Sequence, residues 1–139
     1  MLYSGGRVVR TWRIGLGTKP RGDKQWQGDR RTPEGTFYIC QKNPNSQYYL
    51  SLGLSYPAPD DARRGLRSKR ITQAQHDAIA DAHKARTCPP WNTPLGGEVF
   101  VHGHGSKRDW TWGCVALDDA PMKELYTAVP TGTAITIKP

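Results

Sequence analysis

The chain has 139 residues, enough for one domain with a real core and too few for two independent ones. Twenty Lys and Arg against twelve Asp and Glu give a formal charge of +8, which favours polyanionic partners or acidic substrates without identifying either. No apolar run reaches the length of a membrane span and Met1 to Arg10 lacks the apolar stretch of a secretory signal, so a soluble domain without a membrane span is expected.

Fifteen glycines and eleven prolines among short apolar runs point to many turns joining short strands, and hence to a mostly β domain with short helices. In chain order, Arg7 to Gly15 reads as a strand after the Ser4-Gly5-Gly6 turn, with Val8 or Val9, Trp12 and Ile14 as its apolar positions, opening the sheet. Gly15 to Gly35 is rich in Gly, Pro and charge and ends in G-D-R-R-T-P-E-G, Gly28 to Gly35. Thr36 to Cys40 is β-branched and aromatic enough for the next strand, and Ser46 to Ser55 for another at a hairpin edge, closed by Tyr56-Pro57 and Ala58-Pro59. The cluster Arg63, Arg64, Arg67, Lys69 and Arg70 lacks interleaved aromatics and reads as a solvated, positively charged loop, with no nucleic acid implied.

From Ile71 to Arg86 the apolar period becomes helical, and Thr72 with Gln75 has the spacing of a capping box. Pro89-Pro90 stops that helix. Glu98 to His102 is a short strand delivering His102 to the start of a glycine-rich loop. Asp118 or Asp119 can cap a helix over Ala120 to Ala128, and Thr133 to Lys138 is the last strand. One domain over 1–139, with a helical insertion at about 59–94 before the His102 strand, is the organisation expected.

Three cysteines leave at least one thiol unpaired. Cys40 reads as a small buried hydrophobe and Cys88 as a loop residue before Pro89-Pro90. A bridge between them is not expected, because nothing in the sequence brings them together.

Chemistry concentrates in V-H-G-H-G-S-K-R-D-W-T-W-G-C-V-A-L-D, Val101 to Asp118, where His102 precedes Cys114 by twelve residues. A thiol is mostly protonated at neutral pH, so a nucleophilic cysteine needs an imidazole or aligned amide dipoles beside it. A zinc site from His102, His104 and Cys114 is the competing chemistry, and it lacks an evident fourth ligand. His76 and His83 are seven residues apart on a helical face and read as solvated.

Four segments taken together, G-D-R-R-T-P-E-G, S-Q-Y-Y-L-S-L-G-L-S-Y-P, V-H-G and D-W-T-W-G-C-V-A-L, resemble the L,D-transpeptidase catalytic-domain (YkuD-like) family from about Arg7 to Lys138. That resemblance implies a sandwich-like fold with a central mixed sheet, no cofactor and no metal, and peptidoglycan stem peptides as substrate. It assigns Cys114 as nucleophile and His102 as base, with the Gly113 and Cys114 amides as oxyanion donors. Gly103 and Thr111 are the two candidates for holding the second ring nitrogen of His102. Lys107 and Arg108 are candidates for a substrate carboxylate, and Tyr48, Trp110, Trp112 and Trp91 for the cleft walls.

Many members of that family carry His where this chain has Trp112, and Arg or Asn where it has Ala116. This shifts the expectation from transpeptidation towards hydrolysis, as an L,D-carboxypeptidase or an amidase. The working site implied is the cell envelope, or a target cell's periplasm for a secreted toxin domain, with the domain acting as a monomer. Two rivals are a non-catalytic wall-binding module, supported by the +8 charge, and a general cysteine peptidase.

Overall fold

A computed structural model describes residues 1–139. Seven strands and three short helices follow one another as β1 (Leu2–Ser4), β2 (Arg7–Arg10), β3 (Gly35–Ser46), β4 (Tyr49–Leu54), α1 (Pro59–Arg67), α2 (Gln73–Ala85), β5 (Phe100–His102), β6 (Val115–Ala116), α3 (Asp119–Ala128) and β7 (Ala134–Ile137). The central sheet runs β6-β5-β4-β3-β7, antiparallel except for the β5-β6 pair. It is the central mixed sheet that the family resemblance implies.

The register explains the core. Leu52 faces Val101, Val101 faces Val115, and Phe37 faces Ile135, so strand alternation puts one continuous apolar row on a single face. Met122 from α3 and Val129, the residue after its last turn, join that core together with Ile39 and Leu54. The C-terminal end of α3 is fixed by Lys42, which donates to the Tyr126 and Val129 carbonyls at 2.6 and 2.9 Å. A cation is favourable there, where the last helical carbonyls lack intrahelical partners.

Several elements differ from their sequence reading. The first strand ends at Arg10, is exposed throughout, and pairs only with β1 across the Gly5-Gly6 turn, whose residues both have positive φ. Val8 and Val9 are neighbours and point to opposite sides, so they give no one-sided face to join the sheet. Gly15, at the far end of the expected strand, instead bridges Ala116. The β3-β4 hairpin is not at an edge either: β4 lies between β3 and β5, and its Leu52 and Leu54 are fully buried.

The Arg63 to Arg70 cluster is not a loop, since Arg63, Arg64 and Arg67 ride on α1. Pro59 opens that helix, the Asp61 carboxylate accepts from the Ala58 N–H at 2.9 Å, and basic residues occupy its last turn. Arg64 reaches Asp61 at 2.9 Å and Asp23 at 3.3 Å, while Arg70 lies over the Trp26 ring. Burial pushes the Asp61 carboxyl up to about 6. Helix α2 begins at the expected capping box, with Thr72 and Gln75 exchanging side-chain and backbone bonds at 3.0 and 3.1 Å. Ala62 of α1, Ile79 of α2, Ile71 and Leu95 form a small second core between the helices.

Cys40 and Cys88 are joined in a disulfide, contrary to the sequence expectation. The pairing follows from where α2 ends. Tyr38 on β3 donates its hydroxyl to the Thr87 carbonyl at 2.7 Å and meets the His83 ring edge-on, which brings the segment after α2 beside Cys40. Cys114 is the one free thiol.

Candidate active site

Strands β5 and β6 lie side by side in parallel, with His102 opposite Ala116 and Val101 opposite Val115. Val101 and Val115 point into the core, so alternation puts His102 and, one step before β6, Cys114 on the other face. The eleven residues between them, Gly103 to Gly113, thus return the chain to the same face of the sheet.

His102 is almost wholly buried and held from several sides. Its Nδ1 donates to the Gly103 carbonyl at 2.8 Å, which fixes the tautomer and leaves Nε2 as the proton-accepting atom. Tyr48 stacks on the ring at 4.6 Å and Trp110 meets it edge-on at 5.5 Å. Burial holds the imidazole below its ordinary pKa, outweighing the carbonyl bond that raises it, with His104 adding a smaller push downward. The resting ring is therefore neutral near pH 7. Gly103 itself admits no side chain, because a Cβ there would lie 2.5 Å from Asp119 Oδ1 and 2.9 Å from the Tyr48 carbonyl.

Of the two residues expected to hold the ring, Gly103 does so and Thr111 does not. The Thr111 hydroxyl donates to the Cys114 carbonyl at 2.7 Å and accepts from the Gly113 N–H at 3.2 Å. It braces the turn that presents the thiol. This occupies the Gly113 amide, one of the two expected oxyanion donors, whereas the Cys114 N–H bonds to no protein acceptor. Gly113 has φ +141°, and a Cβ there would meet the Arg31 carbonyl at 2.8 Å, so the turn requires glycine.

The Cys114 Sγ accepts from the Phe100 N–H at 3.4 Å and donates to the Glu98 carbonyl at 3.5 Å. Burial pushes the thiol up, ahead of the Phe100 bond and the Lys24 charge, which lower it, and the Glu98 charge, which raises it. Burial thus disfavours the charged form of both groups, the thiolate of Cys114 and the imidazolium of His102. His104 is exposed and edge-on to Tyr48, and His102, His104 and Cys114 do not converge as a metal site.

A family model described as the L,D-transpeptidase catalytic domain, YkuD, matches residues 1–137. The chain belongs to the L,D-transpeptidase catalytic-domain family. Among curated proteins, YafK of Escherichia coli (strain K12) is 40% identical over 53 residues, covering 36% of this chain and 21% of YafK. The likeness to that relative is therefore confined to about a fifth of its length. Among solved structures, an L,D-transpeptidase from Mycobacterium smegmatis superposes with a TM-score of 0.54 at 14% identity, covering 96% of this chain and 51% of that one. The L,D-transpeptidase of Xylanimonas cellulosilytica DSM 15894 gives 0.53 at 18%, covering 96% and 52%. At these identities the two structures speak for a shared fold.

In this L,D-transpeptidase domain the loop from Gly103 to Thr111 is tied at both ends. Asp118 accepts from the Ser106 N–H and Oγ, and Asp119 accepts from the His104 N–H at 2.9 Å. Asp118 thus sits at the N-cap of α3 without capping it. Asp109 accepts from the Leu16 N–H at 2.8 Å, and Trp110 Nε1 donates to the Gly105 carbonyl. These bonds shape a cavity of about 490 Å³ lined by Tyr48, His104, Gly105, Lys107, Arg108, Trp110 and Asp118. Four of the expected substrate-binding residues, Tyr48, Lys107, Arg108 and Trp110, converge there beside His102.

Trp112 is not in that cavity. It is 75% exposed, with the Arg30 guanidinium over its ring at 4.9 Å. Trp91 borders a separate hollow of about 600 Å³ with Gln27, Asn92, Thr93, Pro94, Gly97 and Glu98, so it does not wall the His102 side. Ala116 is fully buried, and its N–H and carbonyl each bond Gly15 at 2.8 Å.

Sequence reading missed a buried ion pair. Lys24 and Asp29 are 4% and 5% exposed and bond at 2.8 Å, with Asp29 also accepting from the Gln25, Trp26 and Arg31 amides. Those bonds to the charged form hold the Asp29 carboxyl low despite its burial. The signal was a lysine five residues before the Asp of G-D-R-R-T-P-E-G, but nothing local marked it as buried.

Proposed function

We propose that this domain performs cysteine-dependent acyl transfer on peptidoglycan stem peptides at an L,D linkage, with Cys114 as nucleophile and His102 as base. The observation that carries this reading is the His102 ring fixed by the Gly103 carbonyl, with Nε2 free, on the same sheet face as the only free thiol. Family membership supplies the substrate class.

As the scissile carbonyl approaches, the Cys114 proton passes to His102 Nε2 and Sγ bonds to the carbonyl carbon. The oxyanion that forms meets the unengaged Cys114 N–H, with Thr111 and Gly113 keeping the turn in shape. Collapse breaks the C–N bond, the His102 imidazolium gives its proton to the leaving amine, and a thioester remains on Cys114. An incoming amine or water then loses its proton to His102 and releases the acyl group.

Two cations at one cavity beside the base suit an anionic substrate end such as a diaminopimelate carboxylate. Changing Lys107 and Arg108 together to Ala is expected to raise KM for a stem peptide with that carboxylate free by about tenfold, with little change in kcat. Steady-state kinetics on free and amidated peptides checks this; an equal loss on both would count against carboxylate binding.

A second reading within the class is hydrolysis, as an L,D-carboxypeptidase or amidase. The enclosed Ala116 favours it, because no polar side chain stands at that position to grip an acceptor amine. Mass spectrometry of muropeptide products, with and without an added D-amino acid, tests both: an exchanged or crosslinked product means transpeptidation, a gain of water means hydrolysis, and unchanged muropeptides would refute the proposed activity. The Cys40–Cys88 disulfide favours an oxidising working compartment, the cell envelope, a periplasm or outside the cell. No helix is long and apolar enough to cross a membrane.

A further inference from the structure

The segment before the site's own strands contains a charge pair that the mechanism leaves unused. Lys24 Nζ is fixed by two acceptors, Asp29 Oδ1 at 2.8 Å and the Trp26 carbonyl at 3.0 Å. It lies beneath the turn that presents the thiol, where a Cβ on Gly113 would stand 4.0 Å from Nζ. Asp29 cannot swing away, because three backbone amides hold its carboxylate. The same stretch is closed on itself by the Gly17 N–H to Thr32 Oγ1 and the Lys19 N–H to the Arg30 carbonyl, and tied to the nucleophile's loop by the Thr18 N–H to the Thr111 carbonyl and the Thr111 N–H to the Leu16 carbonyl.

A buried ion pair is a costly device for stability alone, since neutral residues of similar size often serve as well. A fixed cation in a water-poor setting instead acts strongly on a neighbouring anion that forms during reaction. We infer that Lys24 is a positioning residue for Cys114, an ammonium anchored by Asp29 under the Gly113-Cys114 turn that favours the thiolate and the oxyanion derived from it. This gives the G-D-R-R-T-P-E-G segment a part in the chemistry. It rests on Cys114 being the nucleophile.

The other charged or titratable groups facing the thiol are Glu98, beside it on the loop before β5, and His102 on β5. Arg31 contributes its carbonyl at Gly113, and the Arg30 guanidinium is turned out onto Trp112. The Glu98 charge opposes the thiolate, whereas Lys24 supports it. Lys24 is thus the cation whose removal matters most at Sγ.

The test is the pH dependence of iodoacetamide alkylation of the intact, disulfide-bonded protein, in which Cys114 is the one alkylatable cysteine. Lys24→Met is expected to move the midpoint to higher pH and slow alkylation at pH 7 by about tenfold. Asp29→Asn, which leaves the cation unopposed, should move it to lower pH. Lys24→Met with Asp29→Asn removes both charges and guards against loss of fold, and its midpoint should lie between wild type and Lys24→Met. A purely structural pair would leave the midpoint of each folded variant in place, and that result, or shifts of one sign in both single variants, would overturn the inference. Alkylation needs no turnover, so it reads Lys24 independently of whether stem peptides are the substrate.

Discussion

Cys114→Ala is expected to remove turnover of purified muropeptides, by at least about 10⁴-fold, while leaving the fold intact. No other group can replace the thiol as nucleophile, because Cys40 and Cys88 are tied to each other. The loss falls on kcat, since the covalent step itself is gone, and substrate binding in the Tyr48-Lys107-Arg108-Trp110 cavity should survive. The structural cost is small. Sγ makes only two weak bonds, to the Phe100 N–H and the Glu98 carbonyl, and the residue is half-buried, so stability should change by about 1 kcal/mol or less. Circular dichroism and thermal melting beside the activity assay separate lost chemistry from lost fold. Retained binding with no wild-type turnover would instead favour a wall-binding module, and turnover by the Ala variant would refute the nucleophile.

Opening the Cys40–Cys88 bridge, by the paired change of Cys40→Ser and Cys88→Ser, is expected to have the largest effect on stability. The bridge closes a span of 48 residues that includes β4, α1 and α2. By loop-closure entropy, releasing such a span costs about 4 kcal/mol, and values of about 2–4 kcal/mol are typical. For a domain of this size the melting temperature should fall on the order of 10 °C. The Tyr38 bonds to the segment after α2 remain, so the helix should stay docked at low temperature. Neither cysteine touches His102 or Cys114, and turnover by the folded fraction should persist. Urea unfolding with and without reductant gives the same comparison in the wild-type chain; equal midpoints would show that the bridge contributes nothing.

The site was more legible in the sequence than the scaffold around it. His102 and Cys114 stood out because each sits beside a glycine next to a short apolar run, a local signal, and the family resemblance assigned their roles. Gly103 was one of two candidates that the family resemblance offered for holding the ring, and the folded chain shows its carbonyl on Nδ1. Thr111, the other candidate, could not be separated from Gly103 by sequence, and only the folded turn shows its hydroxyl spent on Gly113 and Cys114. The α2 helix announced itself through Thr72 and Gln75, a purely local signal.

What was not legible depends on contacts between distant segments. The Cys40–Cys88 bridge requires knowing that α2 ends against Tyr38, and the Lys24–Asp29 pair requires knowing that residues 15–32 lie under the Cys114 turn. Helix α1 was hidden by its composition: the arginines drew attention to charge, while the acid-first, base-last order of Asp60, Asp61, Arg64 and Arg67 was the helical signal. The exposed β1-β2 hairpin shows the converse. Valines alone do not place a strand in a sheet when they fail to alternate.

The central claim is that Cys114 carries the acyl group of a stem peptide. The direct measurement is intact-protein and peptide-map mass spectrometry after incubation with purified muropeptides and acid quenching. A mass increase on the peptide containing Cys114, equal to the donor stem fragment and removed by hydroxylamine, is the result this account predicts. Muropeptide turnover with no adduct on Cys114, persisting in the Cys114→Ala variant, would contradict it.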